Sequence, residues 1–242
     1  MIIFAVKHNN QLSVNLTIHL QKEKVMKKYF DIKAIIFDMD GVISDTQALH
    51  SKVESKLLKE YGINIEPEEI TKNYAGVRTK DFMDKLLSKQ HKPYDLKEII
   101  QQKWLKMEEL AAKSVREVDG AVDLIKMFNA AGFSSAVASA SNSNYVEIVL
   151  DKLNVRKYFT VVICGDMVRK GKPDPESFLL AAAKLNVLPR NCLVIEDGIS
   201  GMEAAKRANM QCIGLVKDKK QRYPTKNLVL SLTEITAENF VS

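Results

Sequence analysis

Five short apolar runs, each closed by a cluster of polar residues, constrain the fold of this chain more than anything else in it. They are Ala34-Ile35-Ile36-Phe37, Ser135-Ala136-Val137-Ala138, Val161-Val162-Ile163-Cys164, Leu193-Val194-Ile195 and Cys212-Ile213-Gly214-Leu215-Val216. A strand buried on both faces needs continuous apolar character, not alternation, and amphipathic helical stretches fill the gaps after the second run. The pattern predicts an α/β fold, a parallel sheet covered by helices on both faces. An apolar content of 46% supports a buried core of that kind.

Between the first two runs lie roughly a hundred residues, where a crossover helix needs only about a dozen. The excess reads as helices: Gln47 to Glu60 ended by Gly62, a short one after Pro67, Thr79 to Lys89, and Asp95 to Ala112. A helical cap over residues 46–115 is therefore expected, inserted into a core of residues 31–45 and 116–242, with its connections near Asp45 and Arg116. Asp119-Gly120 then opens a helix from Ala121 to Ala130, closed by Gly132. Residues 1–30 form an extension in which Leu12, Val14, Leu16, Ile18 and Leu20 alternate, a pattern that suits a hairpin with residues 2–6. Met26, before Lys27-Lys28, is a second candidate start of translation.

Charge narrows the partners. The 36 Lys and Arg are interspersed with 30 Asp and Glu, so the net +6 forms no block. No zinc-finger spacing or RNA-recognition aromatic motif is present, and a nucleic-acid partner is not expected. Met1 to Val6 is too short for a signal-peptide core and no later run suffices to span a bilayer, so no membrane association is expected either. Cys164, Cys192 and Cys212 sit in or beside apolar runs without metal-type spacing, as small core residues of a cytoplasmic protein would. A monomer is expected.

Ligands of open parallel sheets bind beyond the carboxyl ends of the strands, so the polar residues after each run are where chemistry is sought. These are Asp38-Met39-Asp40-Gly41 after the first, Ser139-Ala140-Ser141-Asn142 after the second, Gly171-Lys172-Pro173-Asp174-Pro175 beyond the third, and Glu196-Asp197-Gly198 after the fourth. A carboxylate attacking an anionic phosphate ester needs a cation between them. Asp38, Glu196 and Asp197, with the carbonyl of Asp40, supply a hard, oxygen-rich set suited to Mg2+. Attack by Asp38 gives an aspartyl phosphate, Asp40 serves as general acid and base, Ser139 donates to a phosphoryl oxygen and Lys172 offsets developing charge. The early glycine and the lack of a terminal glutamate exclude an EF-hand.

Together these segments resemble the four motifs of the haloacid dehalogenase-like hydrolase superfamily, nearest its beta-phosphoglucomutase and sugar-phosphatase branch. Asp38-x-Asp40-Gly41-Val42-x-x-Asp45-Thr46 is similar to its first motif, Ser139 to its second, Lys172 to its third and Glu196-Asp197 to its fourth. The resemblance implies a Rossmann-like core, a mobile helical cap, Mg2+, and a phosphate-binding group of Ser139, Ala140 and Lys172. An aspartate at Asp40 favours phosphate esters, because relatives that cleave carbon–halogen or carbon–phosphorus bonds characteristically lack it. His50 aligns with a hinge histidine of the mutases. Gly76-Val77-Arg78-Thr79-Lys80 resembles a substrate-facing cap loop, although Thr79 stands where a mutase has arginine and Asn142 where the mutases commonly have lysine. Arg78, Ser141 and Asn142 are thus candidate substrate contacts, with helix capping an equal explanation for Ser141. Trp104 is read as packing within the cap.

The expected function is that of a magnesium-dependent phosphatase acting on a small phosphorylated metabolite, a sugar or polyol phosphate. Two rivals use the same residues: a beta-phosphoglucomutase, and a non-catalytic protein that binds a phosphorylated ligand. The second predicts loss of a motif carboxylate, and all are kept.

Overall fold

The computed structural model describes residues 29, 31–90 and 93–240. The hairpin expected in the first twenty residues lies outside the described residues. Six parallel strands form one sheet: β1 (Ala34–Phe37), β2 (Ser134–Ala138), β3 (Val161–Ile163), β4 (Cys192–Glu196), β5 (Gln211–Leu215) and β6 (Asn227–Val229), in the order β3-β2-β1-β4-β5-β6. β6 escapes a search for apolar runs because Asn227-Leu228-Val229 is only half-buried at the sheet edge.

Alternate side chains divide each central strand between two cores. Ile35 and Phe37 join Val137, Leu193 and Ile195 beneath α5 (Ala121–Ala130) and α6 (Ser143–Lys152). Ala34 and Ile36 face the other way, onto Phe178 and Ala181 of α7 (Glu176–Leu185) and Met202 and Ala205 of α8 (Ile199–Arg207). Both faces of β1 are dry, which is why its sequence is unbroken apolar.

Four helices separate β1 from α5: α1 (Gln47–Glu60), α2 (Pro67–Tyr74), α3 (Thr79–Leu87) and α4 (Leu96–Lys113). Proline in the first turn starts α2, and the Asp95 side chain caps α4 by accepting from the backbone N–H groups of Lys97 and Glu98. Leu58, Ile70, Phe82, Met83, Leu87 and Ile99 give these helices a small core of their own. The two chain crossings lie side by side: Asp45 N–H donates to the Arg116 carbonyl at 2.9 Å, and Ser44 forms a bridge with Glu117. No helix among the described residues is long and apolar enough to cross a membrane.

The strand order sets the position of the site. From β1 the chain builds outward through β2 and β3, then returns to β4 on the other flank of β1. The crevice at such a switch point opens at the carboxyl ends of β1 and β4.

Candidate active site

Strand register brings the acidic groups together. Phe37 pairs with Ile195, and the next N–H along β1, that of Asp38, donates to the Ile195 carbonyl at 2.9 Å. Asp38 and Glu196 therefore emerge side by side where the sheet ends. Lys172 reaches in between them, its ammonium 2.5 Å from Asp38 Oδ1 and 2.8 Å from Glu196 Oε1. All three are buried. The second oxygen of Glu196 accepts the Gly198 N–H at 2.6 Å.

One ammonium is too little charge for this pocket. Asp38, Glu196 and Asp197 each offer a carboxylate oxygen, and these atoms lie within 4.8 Å of one another. Burial pushes the Asp38 carboxyl up to about 8 against the pull of Lys172, with Glu196 and Asp40 adding repulsion. Asp197 is pushed well up by burial, by Glu196 and by Asp38. Burial also works against the Lys172 ammonium, yet Asp38 and Glu196 hold its pKa above the ordinary lysine value. Asp197 Oδ1 is buried without a hydrogen-bond partner among the described residues. A crowded carboxylate trio with an unsatisfied buried oxygen has the donor chemistry of a hard divalent cation site. Gly41 makes room for it: with φ +96°, any Cβ there would collide with the Asp197 carboxylate.

Asp40 stands apart from the trio, held by four donors. Its Oδ1 accepts from Thr46 Oγ1 at 2.6 Å, His50 Nε2 at 3.0 Å and the Tyr145 hydroxyl at 3.3 Å, and its Oδ2 accepts from Ser141 Oγ at 2.7 Å. Burial raises this carboxyl, but the His50 ring, with Thr46 and Ser141, more than offsets it and keeps Asp40 below the usual carboxylate range. Lys103 donates to His50 Nδ1 at 3.0 Å, so Nε2 carries the ring proton toward Asp40. Lys103 is fully buried against the Trp104 ring and also donates to Thr79, whose hydroxyl donates to Glu54 at 2.9 Å. Burial lowers the Lys103 pKa to about 8, with Glu54 and Asp40 pulling the other way.

Asp38, Asp40, His50, Ala140 and Ser141 line a cleft with residues of α1, α3 and α4. Ser139 is buried, its oxygen accepting the Ser141 N–H at 3.0 Å. Two of the expected substrate contacts go elsewhere. Arg78 pairs with Asp81 and donates to the carbonyls of Gly165, Val168 and Arg169, tying the loop before α3 to the loop after β3. The Asn142 amide donates to Glu108 while its oxygen caps α6. Neither lines the cleft.

Lys103, Glu54 and Tyr145 are absent from the sequence expectation, Thr46 enters it only as the last residue of the first motif, and Trp104 lines the cleft, a position beyond the packing assigned to it. The signal for Lys103 lay in its phase: Ile99, Lys103, Met107 and Ala111 form the buried stripe of α4, where a lysine has no reason to be without a polar partner. Glu54 is the same case on α1, where it shares the buried face with His50, Ser51 and Leu58.

Known proteins place this arrangement. A family model described as haloacid dehalogenase-like hydrolase matches residues 35–215. The chain is 30% identical over 182 residues to a phosphorylated carbohydrates phosphatase of Thermotoga maritima, covering 75% of this chain and 84% of that protein. Among solved structures, CbbY from Rhodobacter sphaeroides in complex with xylulose-(1,5)bisphosphate is 26% identical with a TM-score of 0.77, covering 87% of this chain and 100% of that one. The beta-phosphoglucomutase of Clostridium difficile is 27% identical with a TM-score of 0.76, covering 86% and 94%. Since the family match runs from β1 to the end of β5 and takes in all four polar clusters, the chain belongs to the haloacid dehalogenase-like hydrolases.

Proposed function

We propose that this protein is a magnesium-dependent phosphatase that hydrolyses a small sugar or polyol phosphate through an aspartyl phosphate on Asp38. The carrying observation is the placement of Asp38 against Lys172, with Glu196 and Asp197 in ligand range and Asp40 held over the adjoining cleft. Asp38, Glu196 and Asp197 would hold Mg2+, which when bound neutralises the repulsion between nucleophile and phosphoryl group. Asp38 attacks phosphorus as the ester oxygen leaves. Lys172 holds the nucleophile in place and shares the charge of the transferring group. The Ser139 hydroxyl and the Ala140 backbone orient the phosphoryl oxygens.

Asp40 protonates the leaving oxygen after taking up a proton, and as a carboxylate it then accepts one from the water that hydrolyses the aspartyl phosphate. His50 and Thr46 fix its position in both steps. The helices between β1 and α5 act as a cap over the cleft and exclude bulk water. Relatives named as carbohydrate phosphatases support hydrolysis of a sugar ester.

The test is release of inorganic phosphate from a panel of sugar and polyol phosphates in Mg2+, with Asp38→Asn as control. Hydrolysis that disappears in Asp38→Asn is expected; hydrolysis that survives it would sink the mechanism. A solved mutase of the same architecture supports the rival reading. Conversion of beta-glucose 1-phosphate to glucose 6-phosphate faster than phosphate release would replace the phosphatase with it.

A further inference from the structure

The cleft beyond Asp40 carries information about the part of the substrate that does not react. Among the described residues, its lining contains one lysine, Lys103, and no arginine. An ammonium has three N–H donors. Two of those of Lys103 meet His50 Nδ1 and Thr79 Oγ1, each at 3.0 Å, its charge is paired with Glu54 Oε1 at 3.6 Å, and its side chain is fully buried. An incoming anion would have to compete with Glu54 for that charge. The other two side chains that could have met one, Arg78 and Asn142, are bound to loop carbonyls and to Glu108.

Glu54 has the opposite character. It is buried, it lines the cleft, and only its Oε1 is engaged by protein groups among the described residues. A carboxylate oxygen free on a cleft lining can accept a hydroxyl hydrogen, and by offsetting the Lys103 charge Glu54 leaves the lining no net cation to draw in a carboxylate or second phosphate. Gln47, also on the lining, adds an amide that pairs with hydroxyls of either polarity.

We propose that the cleft selects phosphate monoesters whose remaining body is an uncharged polyol or sugar, and that Glu54 is the specificity-determining residue that rejects a second anion. The inference rests on the phosphatase reading above. It deepens that reading by naming the charge of the accepted body and the residue that sets it.

Two matched pairs test it, each differing by one anionic group: glucitol 6-phosphate against 6-phosphogluconate, and fructose 1-phosphate against fructose 1,6-bisphosphate. Phosphate release is measured as kcat/KM, with p-nitrophenyl phosphate as a substrate that has no distal group. Wild type is expected to favour the neutral member of each pair at least tenfold, and Glu54→Gln, which keeps volume and hydrogen bonding, to shrink that preference at least fivefold. A wild-type ratio at or below one overturns the proposal without any variant. So does an unchanged ratio in a folded Glu54→Gln, or turnover of p-nitrophenyl phosphate alone. Release from none of the five esters would instead overturn the phosphatase reading, and this inference with it.

Discussion

Replacing Asp38, the proposed nucleophile, should make the metal-free protein more stable. Without a cation, burial raises the Asp38 carboxyl from an ordinary 3.8 to about 8. A carboxyl with a raised folded pKa binds its proton more tightly when folded, so the folded state is favoured at low pH and penalised as pH climbs between those two values. At about 1.4 kcal/mol per pH unit, the penalty on wild type is at most about 5 kcal/mol at pH 8 and about 2 kcal/mol at pH 5. Asp38→Asn removes the ionisation while keeping an oxygen that Lys172 can donate to. Allowing for water entering the pocket, the expected gain over wild type in EDTA is about 2–4 kcal/mol at pH 8 and under about 2 kcal/mol at pH 5. Urea denaturation at the two pH values measures it directly. In millimolar Mg2+ the gain should vanish, because the bound cation stabilises the wild-type carboxylate and not the amide. Equal stability of the two proteins at pH 8 in EDTA, or a larger gain at pH 5, would refute the claim that Asp38 is strained by its neighbours.

Lys172→Met leaves Asp38 and Glu196 buried without their cation. It should cost about 3–5 kcal/mol in urea melts in EDTA, and turnover should be lost. Gly201 packs so close to Glu196 that a Cβ would overlap its carboxylate. Gly201→Ala should therefore cut turnover of p-nitrophenyl phosphate at least a hundredfold and raise the Mg2+ concentration needed for half-activity. Arg78→Ala strands the carbonyls of Gly165, Val168 and Arg169. A loss of about 2–3 kcal/mol is expected, with faster proteolysis within residues 46–115 and about tenfold lower kcat/KM.

Most of the sheet was legible because its strands are buried on both faces, and a parallel sheet covered by helices keeps runs such as Ala34-Ile35-Ile36-Phe37 dry on both sides. β6 was not, since an edge strand needs no such run. Strand ends shifted by a residue: Cys192 and Glu196 belong to β4 through their backbone pairing, which hydropathy does not register. The carboxylates and Lys172 were legible by position, each at or beyond the end of a strand that the fold brings to one crevice. The network around Asp40 was not, because Lys103 reaches it from a helix more than sixty residues away in sequence, and only packing decides which face of α4 turns inward. Arg78 shows the converse limit. A cation in a loop expected to face substrate is, in three dimensions, closer to the backbone carbonyls of the loop after β3.

These contacts tie the inserted helices to the chemistry of the core. Asp40 belongs to the loop after β1, yet the groups that hold its Oδ1 include His50 on α1, and Lys103 on α4 sets the tautomer of that histidine. Ser200, at the start of α8, donates to the Ala75 carbonyl at 2.8 Å, and Arg78 grips the loop after β3. If the helices moved off, His50 and Lys103 would leave together, and Asp40 would lose the imidazole donor that orients it over the cleft. Removing Arg78 would therefore act on the proposed acid–base step from a distance. Its effect should fall on kcat, where a residue that merely bound substrate would show itself in KM.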